Sequence, residues 1–126
     1  MNQKSLRRTF QETIHSIKDY IDQHPLEIKT IAALIHNTHS QIGINLLHQG
    51  FRQMYGSTIK EYEIKKRLEA AAVLLQQDEL TMREITARCG YSSQSSFVRA
   101  FKEVHGITPG QWRNQHVTPL LLQEAC

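Results

Sequence analysis

One stretch of this 126-residue chain is written twice. Gly50-Phe-Arg-Gln-Met-Tyr-Gly-Ser-Thr-Ile-Lys-Glu-Tyr62 lies over Ala100-Phe-Lys-Glu-Val-His-Gly-Ile-Thr-Pro-Gly-Gln-Trp112 at a constant offset of 50. Phe51 meets Phe101, Arg52 meets Lys102, Gly56 meets Gly106, Thr58 meets Thr108 and Tyr62 meets Trp112. Further upstream, Ile31-Ala32 answers Ile85-Thr86. A helix end, a cap and an aromatic kept in register are not a chance pattern, so the chain holds two copies of one helical unit. Each copy reads as a short helix, a turn and a second helix closed by glycine, which is the helix-turn-helix outline.

Apolar spacing supplies the rest of the helices. Phe10, Ile14, Ile17 and Ile21 line one face of a first helix of about 16 residues, which His24-Pro25 should stop because the residue before proline resists helical geometry. Ile28, Ile31, Ala32 and Ile35 predict a short second helix over 26–35. The polar run His36–Gly43 favours a turn. Leu47, Phe51 and Met54 predict a helix over 45–55, with Gly56 placed for a left-handed C-cap. Thr58-Ile-Lys-Glu61, Thr81-Met-Arg-Glu84 and Thr108-Pro-Gly-Gln111 match the capping box, so helices should open near 59, 82 and 109. Pro109 falls at the first helical position, where its missing N–H costs nothing. Ser92-Ser93 can cap another helix running through Phe97, Val98 and Phe101 to Val104, with Gly106 ending it.

The expected fold is all-α, with about seven helices and no strand pattern. The first helix-turn-helix unit covers 8–57, a connecting helix 58–76, the second unit 77–114 and a tail 115–126. The connecting helix turns Ile59, Tyr62, Leu68, Ala71 and Leu75 inward and spans about 28 Å. The major groove returns to one face of DNA every 34–36 Å or so, and a rigid spacer of this length suits two reading helices in successive groove segments. The alternative is a seven-helix bundle that uses its repeat for stability alone.

Composition excludes several classes. Apolar residues make up 40% and charged residues 21% of the chain, as in compact helical domains. Met1–Phe10 is polar and basic, unlike a secretory signal, and no run approaches the roughly 20 apolar residues that cross a bilayer. A soluble, cytoplasmic protein with no membrane partner is expected. Cys89 and Cys126 make neither a disulfide framework nor a metal quartet; Cys89, just before Gly90, reads as a small buried residue. The net charge of +3 permits an anionic partner without requiring one. His36-x-x-His39 could pair two imidazoles, but no cysteine or carboxylate cluster stands beside it. No Ser-His-Asp order, glycine-rich phosphate loop or carboxylate dyad is present. No enzyme activity, metal or cofactor is expected, and Tyr91 and Trp112 read as core aromatics.

From Ile85-Thr-Ala-Arg-Cys-Gly-Tyr91-Ser-Ser-Gln-Ser-Ser-Phe97-Val-Arg-Ala-Phe101-Lys through Gly106-Ile-Thr-Pro109 to Trp112-Arg113, the sequence closely resembles the AraC/XylS family of transcription regulators. The likeness extends back through Arg67-Leu-Glu-Ala-Ala-Ala-Val-Leu-Leu75 and covers roughly residues 14–113. The first half matches more loosely, through Pro25-Leu26, Ile31-Ala32 and Gly50-Phe51 to Gly56. One departure stands out. Ile31 to Phe51 is 20 positions and Ile85 to Phe101 is 16, so the first turn is four residues longer than its counterpart, and this turn sets the angle of the first reading helix.

The resemblance implies homeodomain-like three-helix subdomains and double-stranded DNA as partner, with RNA polymerase as a second candidate partner. In the second unit it implies Gln94, Ser95, Ser96 and Arg99 as base readers, on the exposed first turns of a helix whose Phe97 and Phe101 face the core. Glutamine suits adenine and arginine suits guanine, each through two parallel hydrogen bonds in the major groove. Lys102, in step with Arg52, suits phosphate. In the first unit Asn45, His48 and Gln49 are the base-reading candidates, beside Arg52. Lys65 and Lys66 either touch DNA phosphates or serve as solubilising charges, and Arg67 is implied to be structural. The competing function is a helical protein-interaction module that no longer binds DNA, since residues 58–113 hold nine Lys or Arg against seven Asp or Glu. A small-molecule effector is not expected to bind within this chain, which is either a single-domain regulator or the C-terminal part of a longer one.

Overall fold

The computed structural model describes residues 3–27, 33 and 43–116, with side chains from Arg7 onward. Among the described residues there are six helices and no strand: α1 Gln3–Gln23, α2 Ile44–Tyr55, α3 Ile59–Leu75, α4 Met82–Arg88, α5 Gln94–His105 and α6 over 109–116. The all-α class holds. Six of the seven expected helices lie among the described residues. Although Ala33 is helical, the one predicted over 26–35 falls largely outside them. So do most of the long turn at 36–43, with His36 and His39, and the tail from Val117. The chain divides into two compact units, 1–66 and 67–126.

The first unit closes around Ile14, Ile17 and Ile21 of α1, Leu47 and Phe51 of α2, and Ile59 at the start of α3, all fully buried. Each such side chain contributes about 1.5–3 kcal/mol by leaving water. Gly50 lets α2 approach α1 closely. A Cβ there would lie 2.3 Å from Ile14 Cδ1 and 2.6 Å from Phe10 Cζ, which outweighs the roughly 1 kcal/mol that glycine costs a helix relative to alanine. α1 is 21 residues long, longer than its apolar pattern indicates, because adding polar residues to a nucleated helix costs little. Tyr62, expected to face inward, is half-buried. Its hydroxyl donates to Asp22, which also accepts from Lys18 Nζ at 2.9 Å. Burial pushes the Asp22 carboxyl up, but the hydrogen bonds from Tyr62 and Lys18 outweigh it and hold the group below the ordinary carboxylate range.

The second unit is built on sharp helix ends. The Thr81 hydroxyl accepts from the Glu84 N–H at 3.1 Å, opening α4. Gly90, at φ +81°, turns the chain out of it. The Gly90 N–H donates to the Ala87 carbonyl and the Tyr91 N–H to the Thr86 carbonyl, the two bonds of a Schellman ending. Cys89 is buried behind this turn, and burial pushes its thiol up to about 11, so it stays an inert thiol at neutral pH. Phe97, Phe101 and Ile85 fill the interior with Leu68, Ala71 and Leu75 of α3.

Arg113 fastens α6 to the end of α3. Its Nε donates to the Leu75 carbonyl at 2.9 Å and its Nη2 to the carbonyls of Gln77 and Leu80 at 3.2 and 2.8 Å. Arg113→Ala should destabilise the second unit by about 2 kcal/mol, since hydrogen bonds from a charged donor contribute more than neutral ones. Arg113→Lys should recover little, because a lysine cannot reproduce the planar fork. Urea unfolding followed by circular dichroism tests both; an unchanged midpoint for the alanine variant contradicts the clamp.

The repeat seen in the sequence is also a repeat in space. Gly56 and Gly106 sit at φ +79° and +82°, and each N–H donates at 2.8 Å to the carbonyl four residues back, Arg52 or Lys102. Thr58 and Thr108 cap the following helices by accepting from the Glu61 and Gln111 N–H groups at 3.0 and 3.1 Å. Phe51 meets Tyr62 edge-on at 5.6 Å, and Phe101 meets Trp112 edge-on at 6.5 Å.

Candidate nucleic-acid interface

The start of α5 is fixed before any ligand arrives. Ser93 is extended, at φ −143° and ψ 151°, and its hydroxyl accepts from the Ser96 N–H at 3.2 Å. The same hydroxyl donates to Ser96 Oγ at 2.9 Å, leaving the Ser96 proton to point elsewhere. This cap satisfies one of the orphan donors of the first turn. Phe97 and Phe101 are buried on one side, while Gln94, Ser95, Ser96, Arg99 and Lys102 are all exposed. Ser95 and Arg99, four apart, share the outward face with Ser96. An open cleft of about 350 Å³ adjoins this turn, lined by Arg83, Thr86, Tyr91, Ser93 and Gln94.

α2 presents a comparable face with a weaker start. Gly43 precedes it in extended geometry with no side-chain cap, and the Leu47 N–H donates to the Gly43 carbonyl at 3.1 Å. Asn45, Gln49 and Arg52 are exposed, whereas His48 is half-buried. Two outward residues escaped the sequence reading: Ile44 and Leu46 are 46% and 55% exposed. Extending the offset of 50 back from Gly50 would have found them, since they answer Gln94 and Ser96.

The candidate phosphate contacts on α3 differ from each other. Lys65 is exposed, while Lys66 is half-buried, 4.0 Å from Asp22 and 5.6 Å from the Tyr62 ring centre. Lys66 is therefore engaged within the first unit. The Arg67 guanidinium lies over Tyr91, 5.7 Å from its ring centre, a packed cation inside the second unit. Among the described residues no group of three or more His, Cys, Asp or Glu could hold a metal, and no helix is long and apolar enough to cross a membrane.

Residues 38–115 match the model of a family described as a helix-turn-helix domain. The F1 operon positive regulatory protein of Yersinia pestis is 37% identical over 103 residues, covering 82% of this chain and 34% of that protein. The transcriptional activator RhaR of Cronobacter sakazakii is 40% identical over 78 residues, covering 62% of this chain and 28% of the activator. This chain thus spans about a third of the length of the curated relatives it matches. Among solved structures, the C-terminal domain of AraT, a response regulator from Geobacillus stearothermophilus, is similar at 29% identity and a TM-score of 0.71, covering 82% of this chain and 84% of that one. The DNA-binding domain of AdpA, solved with a target DNA, shares the fold at 20% identity and a TM-score of 0.73, covering 84% of this chain and 94% of that one. With a duplicated and capped helical unit matched by that family model and by these relatives, this chain belongs to the AraC/XylS family of helix-turn-helix transcription regulators.

Proposed function

We propose that the chain binds double-stranded DNA sequence-specifically and regulates transcription through that binding, with one reading helix in each unit. The observation that carries this is the outward face of α5, where Gln94, Ser95, Ser96 and Arg99 stand exposed on a helix locked by Phe97, Phe101 and the Ser93 cap. Gln94 suits an adenine and Arg99 a guanine, and the short serines let the helix approach the base edges. Lys102 and Arg52, one turn further along their helices, suit phosphate oxygens, with Lys65 as a third candidate. Asn45 and Gln49 are the polar base readers of α2; His48, half-buried, is better suited to a phosphate or a packing role. The relatives are named as a regulatory protein and a transcriptional activator, and no enzyme activity is assigned to this chain. A cytoplasmic location and a contact with RNA polymerase accompany this reading, and the chain itself is assigned no small-molecule effector.

In vitro selection from random duplexes, followed by fluorescence anisotropy on the selected site, tests the proposal. Binding should be tight and sequence-dependent at moderate salt. Lys102→Ala should weaken binding to all sequences alike and flatten the salt dependence by about one unit of slope. Absence of affinity for any duplex at low salt would overturn the reading in favour of a protein-interaction module.

A further inference from the structure

The outward faces of α2 and α5 agree position by position. Ile44, Asn45 and Leu46 are exposed, Leu47 is buried, His48 half-buried and Gln49 exposed; Gln94, Ser95, Ser96, Phe97, Val98 and Arg99 repeat that order. The agreement continues from Phe51 to Tyr62 against Phe101 to Trp112. Each helix, within its own unit, leaves the same register positions exposed.

The chemistry of the two faces is different. Where α5 offers Gln94 and Ser96, α2 offers aliphatic Ile44 and Leu46, exposed at 46% and 55%. A single exposed leucine needs no explanation, but here two of the four outward positions on a reading helix are apolar. In a major groove an aliphatic side chain can recognise one feature only, the C5-methyl group of thymine. The other two outward positions, Asn45 and Gln49, carry the amide side chains that pair with adenine N6 and N7. No Lys or Arg occurs from 44 to 49, so the usual guanine readers are missing from this face.

We infer that α2 reads a segment made only of A·T pairs, with Leu46 and Ile44 packed on thymine methyls and Asn45 or Gln49 on an adenine edge. α5, with Arg99, supplies the guanine recognition. This rests on the duplex-binding role proposed above and names what the first unit selects.

The test uses the whole chain and its selected duplex, with thymines replaced one at a time by deoxyuridine. That change deletes the methyl and keeps the base pair. At the thymines read by α2, each replacement should weaken binding about fourfold, the worth of one methyl-sized apolar group buried. Leu46→Ser, which copies Ser96 and alters an exposed residue, should keep the melting temperature and abolish the response at one or more of those thymines. Selection with Leu46→Ser should also relax the A·T requirement there. A duplex insensitive to every deoxyuridine replacement, or a required G·C pair in the α2 segment, overturns the inference. So does an undiminished deoxyuridine response in Leu46→Ser. If in those cases Arg99→Ala still abolishes guanine preference, duplex binding stands and only the apolar readout falls; absence of binding to any duplex overturns both.

Discussion

Phe101→Ala is expected to destabilise the second unit by about 3–5 kcal/mol, the usual cost of emptying a filled aromatic site. Phe101 is fully buried, with ring centres of Phe97 at 5.9 Å, His105 at 4.2 Å and Trp112 at 6.5 Å. The damage extends beyond the lost contact area. His105 Nε2 donates to the Leu68 carbonyl at 2.9 Å while its ring lies against Phe101, so the vacancy also loosens that link between α5 and α3. Domains of this size are stable by only about 5–15 kcal/mol, and α5 should therefore lose its fixed position at ordinary temperatures. Phe51→Ala should act likewise in the first unit, where Phe51 meets Tyr55 at 4.9 Å and Tyr62 at 5.6 Å. Val104→Ala is the control: Val104 is 38% exposed on the same helix and should change stability by less than about 0.5 kcal/mol. Denaturant unfolding measures all three. A Phe101→Ala midpoint no lower than that of Val104→Ala would contradict the packing described.

The second large effect concerns recognition. Gln94→Ala and Arg99→Ala should each remove about 1–3 kcal/mol of discrimination between the selected base pair and its replacement. Both side chains are exposed, so neither change should disturb folding. Read at different base pairs, the two losses should add to about 2–6 kcal/mol in the double variant, as separated positions in a site do. Specificity and affinity must be measured apart. Loss of binding equally to selected and random duplexes would mean that these residues hold phosphates, the behaviour reserved here for Lys102. Competition anisotropy with single-base-pair variants separates the two outcomes.

Much of this is legible in the residue order, and the legible parts share a physical cause. Thr58, Thr81, Ser93 and Thr108 announce helix starts because a capping hydroxyl bonds an N–H only two or three residues away. Gly56 and Gly106 announce helix ends because a positive φ is costly for other residues. The apolar spacing of Ile14, Ile17 and Ile21 places them in the core because only one face of a helix can leave water. Ile44 and Leu46 escaped for the opposite reason. Apolar residues at the start of a periodic helix look like core, and nothing local distinguishes an aliphatic side chain that packs from one that projects.

The all-α class, the duplication, the caps and the family can be read from residue order alone, since each depends on contacts a few residues apart or on one pattern occurring twice. Which partners the distant groups find depends on how the helices pack. Gly50 matters because Ile14 and Phe10 come to lie against it. Lys66 is drawn to Asp22 and Tyr62 although more than 40 positions of chain separate it from Asp22. Arg113 holds three carbonyls, Leu75 at the end of α3 and Gln77 and Leu80 in the turn after it, all more than 30 positions upstream. Sequence spacing limits what a helix face can offer. Which of those offers remains free for DNA depends on what the fold has already brought against it.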